Sequence, residues 1–254
     1  WEGRSALKAA ELFGIGIQFM REHVLPTARI HYVYESAGSA PNVVPDFAQV
    51  WIVIRDLDRE KVAALTDWAR EIAEGAALMT ETTAEFDLFF GMYDLLPNEP
   101  LARLAYDHLI AEPIEWTEEE QAFARGCQAE MGLPEGGMAM QALPFIGDKS
   151  AGSSTDMGDI SYTCPSGVFV WPTLPLGVGL HTWPVTACGG MSIGRKASLA
   201  TSRILAGMGY DLMTQPDLLA TAKADFVKRR GDAPFVSPLP PERTKVSWRS
   251  ASAM

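Results

Sequence analysis

The hydrophobic period of this chain switches repeatedly between helical and extended before residue 92, and that succession restricts it to a layer of helices on a small sheet. Ala6, Ala10, Phe13, Ile17 and Met20 recur at three- and four-residue spacing and form one helical stripe. Pro26 ends that helix region. Residues 28–34 are rich in β-branched and aromatic side chains and read as a strand, and Val50–Ile54 reads as a second. Val62, Leu65, Ala69, Ile72 and Ala76 give a second amphipathic helix, with Asp58 placed to cap it. Thr83–Phe90 reads as a third strand. The order α-β-β-α-β predicts two helices on one face of a small antiparallel sheet, which would bury both stripes.

The chain changes character near Leu96-Pro97-Asn98-Glu99-Pro100. Helices are predicted over 100–110 and 117–131, the second opened by the capping box Thr117-x-x-Glu120. A Gly/Met/Pro-rich loop spans 132–152. Residues 160–163 and 168–171 read as buried strands. Two closing helices follow at 192–213 and 216–229, the latter with proline in its first turn. No internal repeat is present.

A net charge of −11 and a pI near 4.8 disfavour a phosphate-tracking surface, and no Lys/Arg stripe with interleaved aromatics occurs. Nucleic acid is therefore not an expected partner. The acidity, dispersed apart from Glu118-Glu119-Glu120, reads as solubility. Three widely spaced cysteines (Cys127, Cys164, Cys188) suit a reducing compartment, so a cytoplasmic location is expected. The most apolar stretch, 167–180, is broken by Pro172 and Pro175 and is too short to span a bilayer, so no membrane is expected either. Residue 1 is Trp, with no signal or transit pattern after it; the expectation is a segment of a longer protein that lacks its N-terminal part.

Three places could carry chemistry. The turn Ser153-Ser154-Thr155-Asp156-Met157-Gly158-Asp159 puts two acids ahead of an apolar run, and Leu180-His181-Thr182-Trp183 supplies an imidazole after a Gly/Pro-rich stretch. An acidic turn joined to a histidine suits metal-assisted hydrolysis. The counterweight is scarcity: the only histidines are His23, His31, His108 and His181, and no H-x-x-H, C-x-x-C or H-x-E pattern exists. By default His181 is a partly buried structural imidazole, and His23 and His108 are ordinary helix residues. His31 alternates within a strand and could face either way. The second place, Gly38–Pro45, reads as a structural turn around Asn42. The third is Arg55, which ends an apolar strand where a guanidinium can fork onto a carboxylate, although a solvated arginine is commoner. Cys164 or Cys188 as a nucleophile has no histidine beside it in sequence.

Several stretches together resemble the M20 family of metallopeptidases and amidohydrolases, on its p-aminobenzoyl-glutamate hydrolase side: Trp1–Leu7, Ala28–Tyr32, Ala40–Pro45, Ile72–Met79, Leu95–Asn98, Ser154–Ser161 and Leu180–Trp183. The resemblance runs to about Lys228. It implies an α/β catalytic domain with an inserted α+β dimerisation or lid domain, of which this chain would hold the C-terminal part: the lid over 1–92 and the second half of the catalytic domain over 93–254. His181 falls on the last ligand of a two-metal centre, manganese or zinc. Asn42 and Arg55 fall on lid positions that bind the substrate's carboxylate end. Ser153, Ser154, Thr155 and Asp156 fall on the substrate-facing turn. The other ligands and the general base belong to the first half, so no catalytic residue is expected here. The implied reaction is cleavage of an amide beside a free carboxylate, as in p-aminobenzoyl-glutamate, an N-acyl amino acid or a dipeptide. The implied assembly is a homodimer joined through the lid, with room for a companion subunit. The alternative is a non-catalytic dimerisation or binding module of the same fold, and the last reading is a cysteine-dependent hydrolase.

Overall fold

In the computed structural model, which describes residues 1–147, 154–232 and 234–241, the chain forms two compact units. The first holds residues 1–94 together with 236–241, and the second holds 95–147, 154–232, 234 and 235.

The first unit is the helix-on-sheet layer that the periodicity predicts. Helix α1 (Ala6–Arg21) buries Ala10, Phe13, Ile17 and Met20. Strands β1 (Arg29–Ser36) and β2 (Gln49–Arg55) pair antiparallel, with Arg29 opposite Arg55, His31 opposite Val53 and Val33 opposite Trp51. Strand side chains alternate faces. Ile30, Tyr32, Val50, Ile52 and Ile54 therefore turn together onto the helices, where they join one core with Phe13, Ile17, Met20 and Ala69. His31 takes the opposite, exposed face. Helix α2 (Arg59–Thr80) starts where Asp58 caps it, its carboxylate accepting from the Lys61 amide at 2.9 Å. Gly16 allows the close approach of α1 to α2, because a Cβ there would lie 2.5 Å from Ile72 Cγ2.

The predicted third strand is not there: residues 83–90 are irregular, and the described sheet has two strands. The alternating apolar residues of 83–90 are used differently. Phe86 packs on the first unit's core and lies under the Arg70 guanidinium, 5.0 Å from its ring centre. Burying one side chain against a helix needs no backbone ladder, and an alternating pattern cannot distinguish the two uses.

The second unit is helical: α3 (Glu99–Ala111), α4 (Glu118–Glu130), α5 (Met157–Ser161), α6 (Trp183–Gly189), α7 (Ser192–Thr214) and α8 (Pro216–Arg230). Both closing helices lie where predicted, α8 with proline in its first turn. The strands expected at 160–163 and 168–171 are corrected. The first stretch forms the end of α5 and a turn, and the second is irregular, although Trp171 is buried among Ala105, Ala197 and Ile204. Asn98 explains why the chain turns where it does. Its side chain, 3 % exposed, caps α3 by accepting from the Leu101 amide and donates to the Ala222 carbonyl of α8 at 2.8 Å. Ser161 joins α5 to the same corner by accepting from the Leu96 amide at 2.9 Å.

Candidate functional site

His181 sits just before α6, two residues from Trp183, and is exposed rather than partly buried. Its φ of +65° puts a non-glycine residue in the left-handed region, which costs of order 1 kcal/mol and persists where the surroundings impose it. The surroundings here are a pinned loop. Thr182 Oγ1 donates to the Gly179 carbonyl at 2.8 Å, and the Val178 amide to Pro175 at 3.1 Å. The Leu176 amide donates to Gly137 at 2.9 Å. Such strain points from geometry to function. Glycine is the residue this backbone favours, so His181→Gly is expected to stabilise the chain by about 1 kcal/mol in urea unfolding. An unchanged or lower stability would show that the loop does not force the left-handed geometry.

The loop is held from beneath by Gln128 on α4, whose side chain is fully buried. Its Nε2 donates to the Leu176 carbonyl at 2.7 Å and, more weakly, to Gly137 at 3.4 Å. Its Oε1 accepts from the Gly137 amide at 2.8 Å. One amide thus satisfies backbone groups of two loops that lack a sheet. Sequence reasoning missed Gln128, because a polar residue inside a helical pattern carries no sign of what lies across from it.

Glu120 does more than the capping box that the sequence predicts. The capping box forms as predicted. Glu120 is only 3 % exposed, and its carboxylate also accepts from Ser192 Oγ at 2.5 Å and Lys196 Nζ at 2.6 Å on α7. His108 is likewise more than an ordinary helix residue, since its Nε2 lies 2.7 Å from Asp211 Oδ2 and links α3 to α7.

The acidic turn becomes the start of α5 rather than a lead into a strand. Ser154, Thr155 and Asp156 are exposed, with Thr155 Oγ1 accepting from the Met157 amide at 3.3 Å. Ser153 lies outside the described residues. The fit to a metal centre fails on these residues alone. Among the described residues no group of three or more His, Cys, Asp or Glu side chains could hold an ion, so His181 and the acids that the sequence offered do not assemble into such a group.

In the first unit, Asn42 and Arg55 are not brought together. The β1–β2 connection that carries Asn42 lies by the start of α1, where the Ala6 amide donates to Pro45 at 2.9 Å. Arg55 ends β2 at the far end of the hairpin, roughly 20 Å along the strand at its usual rise per residue. There it faces Arg29, whose Nη1 donates to the Pro26 and Ala28 carbonyls. Two like charges directly opposite are unfavourable, so this end of the sheet is suited to an anion. Arg29 was not singled out in the sequence, because its partner depends on the hairpin register.

The thiols do not suit nucleophilic catalysis. Burial, with Cys127 beside it, pushes Cys188 up to about 11, and burial also raises Cys127. Neither thiol ionises near neutral pH, which a nucleophile must do. Cys164 is exposed and directs its Sγ at the Ile160 carbonyl.

No family model matches the sequence. Among curated proteins, the chain is 33 % identical over 269 residues to a subunit of the p-aminobenzoyl-glutamate hydrolase of Escherichia coli (strain K12), covering 94 % of this chain and 55 % of that protein. It is 25 % identical over 240 residues to the Xaa-Arg dipeptidase of Homo sapiens, covering 93 % of this chain and 49 % of that protein. It is 24 % identical over 229 residues to the Xaa-Arg dipeptidase of Mus musculus, covering 89 % and 47 %. The chain thus spans about half the length of the curated relatives it matches. Along nearly its whole length the chain is thus similar to hydrolases of the M20 type.

Proposed function

We propose that the protein carrying this chain is a metal-dependent amidohydrolase that cleaves an amide bond beside a free carboxylate, with p-aminobenzoyl-glutamate or a similar N-acyl amino acid or dipeptide as substrate. The observation that carries this reading is the 33 % identity, across 94 % of the chain, to a p-aminobenzoyl-glutamate hydrolase subunit. In it, residues 1–92 form the lid and residues from 93 onward the second half of the catalytic domain. His181 is one ligand of a centre for two divalent ions, manganese or zinc. Ser153, Ser154, Thr155 and Asp156 face the substrate. Asn42 and Arg55 receive its carboxylate, and the opposed Arg29–Arg55 pair supports an anion role at Arg55.

Because one histidine cannot hold a metal, no step of hydrolysis follows from the described residues themselves. What they supply is binding and orientation, while the remaining ligands and the general base come from polypeptide that this chain does not span. A homodimer through the lid fits a described sheet of two strands, which a second copy can extend. A companion subunit is also proposed, since the bacterial relative is itself named a subunit. Free cysteines suit a cytoplasmic setting, and no helix among the described residues is long and apolar enough to cross a membrane.

The test is hydrolysis of p-aminobenzoyl-glutamate, with Mn²⁺ or Zn²⁺, by this chain and by a version extended upstream in frame. Activity is expected only in the extended, metal-loaded protein and is abolished by a chelator. Activity in the 254-residue chain overturns the account of an incomplete site. Silence in both, with a folded dimer, favours the non-catalytic binding module.

A further inference from the structure

Residues 1–94 carry eight lysines and arginines, and the structure spends them unevenly. Arg4, Lys8, Lys61 and Arg70 each meet a carboxylate. Arg59 lies over the Tyr93 ring and donates to its hydroxyl. Arg21, Arg29 and Arg55 have no carboxylate partner among the described residues, on a chain whose net charge is −11. These three gather at one end of the hairpin. Arg21 and Arg29, with His31, line a cavity of about 340 Å³ between the end of α1 and the start of β1. Arg55 stands directly across from Arg29 in the strand register. Val24, Leu25, Pro26 and Ile30 make the cavity wall apolar. Arg29 is held in place there: its Nη1 donates to the Pro26 carbonyl at 2.5 Å and to the Ala28 carbonyl at 2.8 Å, which orients the fork and leaves Nε and Nη2 uncommitted. Arg21 donates only to the neutral Gln18 side chain, at 3.1 Å.

A cleft of one charge sign with apolar walls focuses its field on a small ion of the opposite sign. The C-terminal end of α1 opposes an anion here, and Arg21 in its last turn offsets that. We infer that this cavity binds a second anionic group, separate from the carboxylate assigned to Arg55, so that the ligand is a dicarboxylate with a short aliphatic body. The register suits two charges rather than one, because directly opposite residues sit ~5 Å apart across a ladder, comparable with the span between the two carboxylates of a glutamyl group. The fixed Arg29 fork takes one carboxylate in a planar, bidentate fashion, and Leu25, Pro26 and Ile30 receive the methylenes between the charges. The same guanidinium groups repel a basic side chain. Placing the second group on the substrate rests on the hydrolase reading above, whereas the anion site itself does not. On that reading Arg21, Arg29 and His31 determine specificity: they select an acidic side chain beside the freed carboxylate and reject a basic one.

The experiment titrates glutarate into the 254-residue chain at fixed pH and ionic strength, with the histidine ring resonances as readout and His31 assigned through His31→Gln. His108, in the second unit, is the stationary control. Glutarate is expected to move the His31 resonances along a saturable curve, and ethylguanidinium to leave them in place. Binding should weaken at least about tenfold in Arg21→Gln and in Arg29→Gln, the loss of one charge-assisted hydrogen bond. Arg29→Gln also frees the Pro26 and Ala28 carbonyls, whereas Arg21→Gln disturbs only Gln18, so the latter keeps the test sound if the former unfolds. A shift that does not saturate, or that chloride reproduces, overturns the inference, because the arginines are then only solvated. So does unaltered affinity in both folded variants. In the version extended upstream in frame, Arg21→Gln should raise KM for p-aminobenzoyl-glutamate at least about tenfold more than KM for p-aminobenzoyl-alanine. Equal effects on the two substrates overturn the specificity role. Glutarate binding without hydrolysis would leave the anion site standing and remove the hydrolase reading, and hydrolysis without glutarate binding would do the reverse.

Discussion

Glu120→Ala is expected to lower the unfolding free energy of the second unit by about 3 kcal/mol, the lower end of the range for removing one partner of a buried ion pair. The lower end applies because Lys196 is 40 % exposed and can turn to water once its partner is gone. What cannot recover so easily is the helix start, where the Thr117 amide and the Ser192 hydroxyl lose their acceptor. The same carboxylate sets an acid limit on stability. Burial alone would raise its pKa; hydrogen bonds from Lys196, Ser192 and the Thr117 amide, with the Lys196 charge, outweigh burial and hold it at about 2 against an ordinary 4.5. Between those two pH values the unfolded chain binds the proton and the folded chain does not, so stability rises with pH there. The contribution is complete above pH 4.5 and is lost as pH falls through 2. Its size is about 3 kcal/mol. Urea titrations between pH 2 and 6, read by a second-unit signal, should show this acid slope in the parent and a flatter one in Glu120→Gln. An identical slope in both would mean that Glu120 is not the group responsible.

Gln128→Ala is expected to cost about 2–4 kcal/mol, combining a buried cavity with backbone groups left unsatisfied. The Leu176 carbonyl and the Gly137 amide both lose a side-chain partner, and each belongs to a loop without a strand ladder. Gln128→Glu separates hydrogen bonding from volume. A carboxylate still accepts from Gly137, but it faces the Leu176 carbonyl with no proton to donate, so the variant should be destabilised despite filling the same space. Limited proteolysis should then cut residues 132–147 and 171–181 faster in both variants, with α7 intact. Unchanged cleavage would place the loops' support elsewhere.

Most helices were legible because each carries its own instructions. Asp58, Thr117 and Pro216 mark starts, and the stripes of α1, α2 and α7 mark the buried sides. The failures share one cause. Residues 83–90, 160–163 and 168–171 look like strands because they are short and apolar, yet a strand also needs a partner, which no local pattern supplies. The site was legible in the same uneven way. The sequence pointed to His181 but could not show its left-handed backbone, and it pointed to Arg55 but not to Arg29 across the hairpin. Gln128 and the outer role of Glu120 depend on residues 48 and 72 positions away, beyond the reach of any window.

Those separations also set an order of assembly. The hairpin and two helices of the first unit are close in sequence, so that layer can form early, before residues 236–241 join it through Tyr93 and Val236. The second unit cannot. Asn98 must wait for Ala222, 124 residues later, and the Glu99 amide for Asp225, 126 residues later. At about 5–20 residues per second of synthesis, that is several seconds in which α3 and α4 are made but their covering helices are not. The corner at Asn98 is thus a clasp that closes late, and the nascent second unit keeps apolar surface uncovered until α8 arrives.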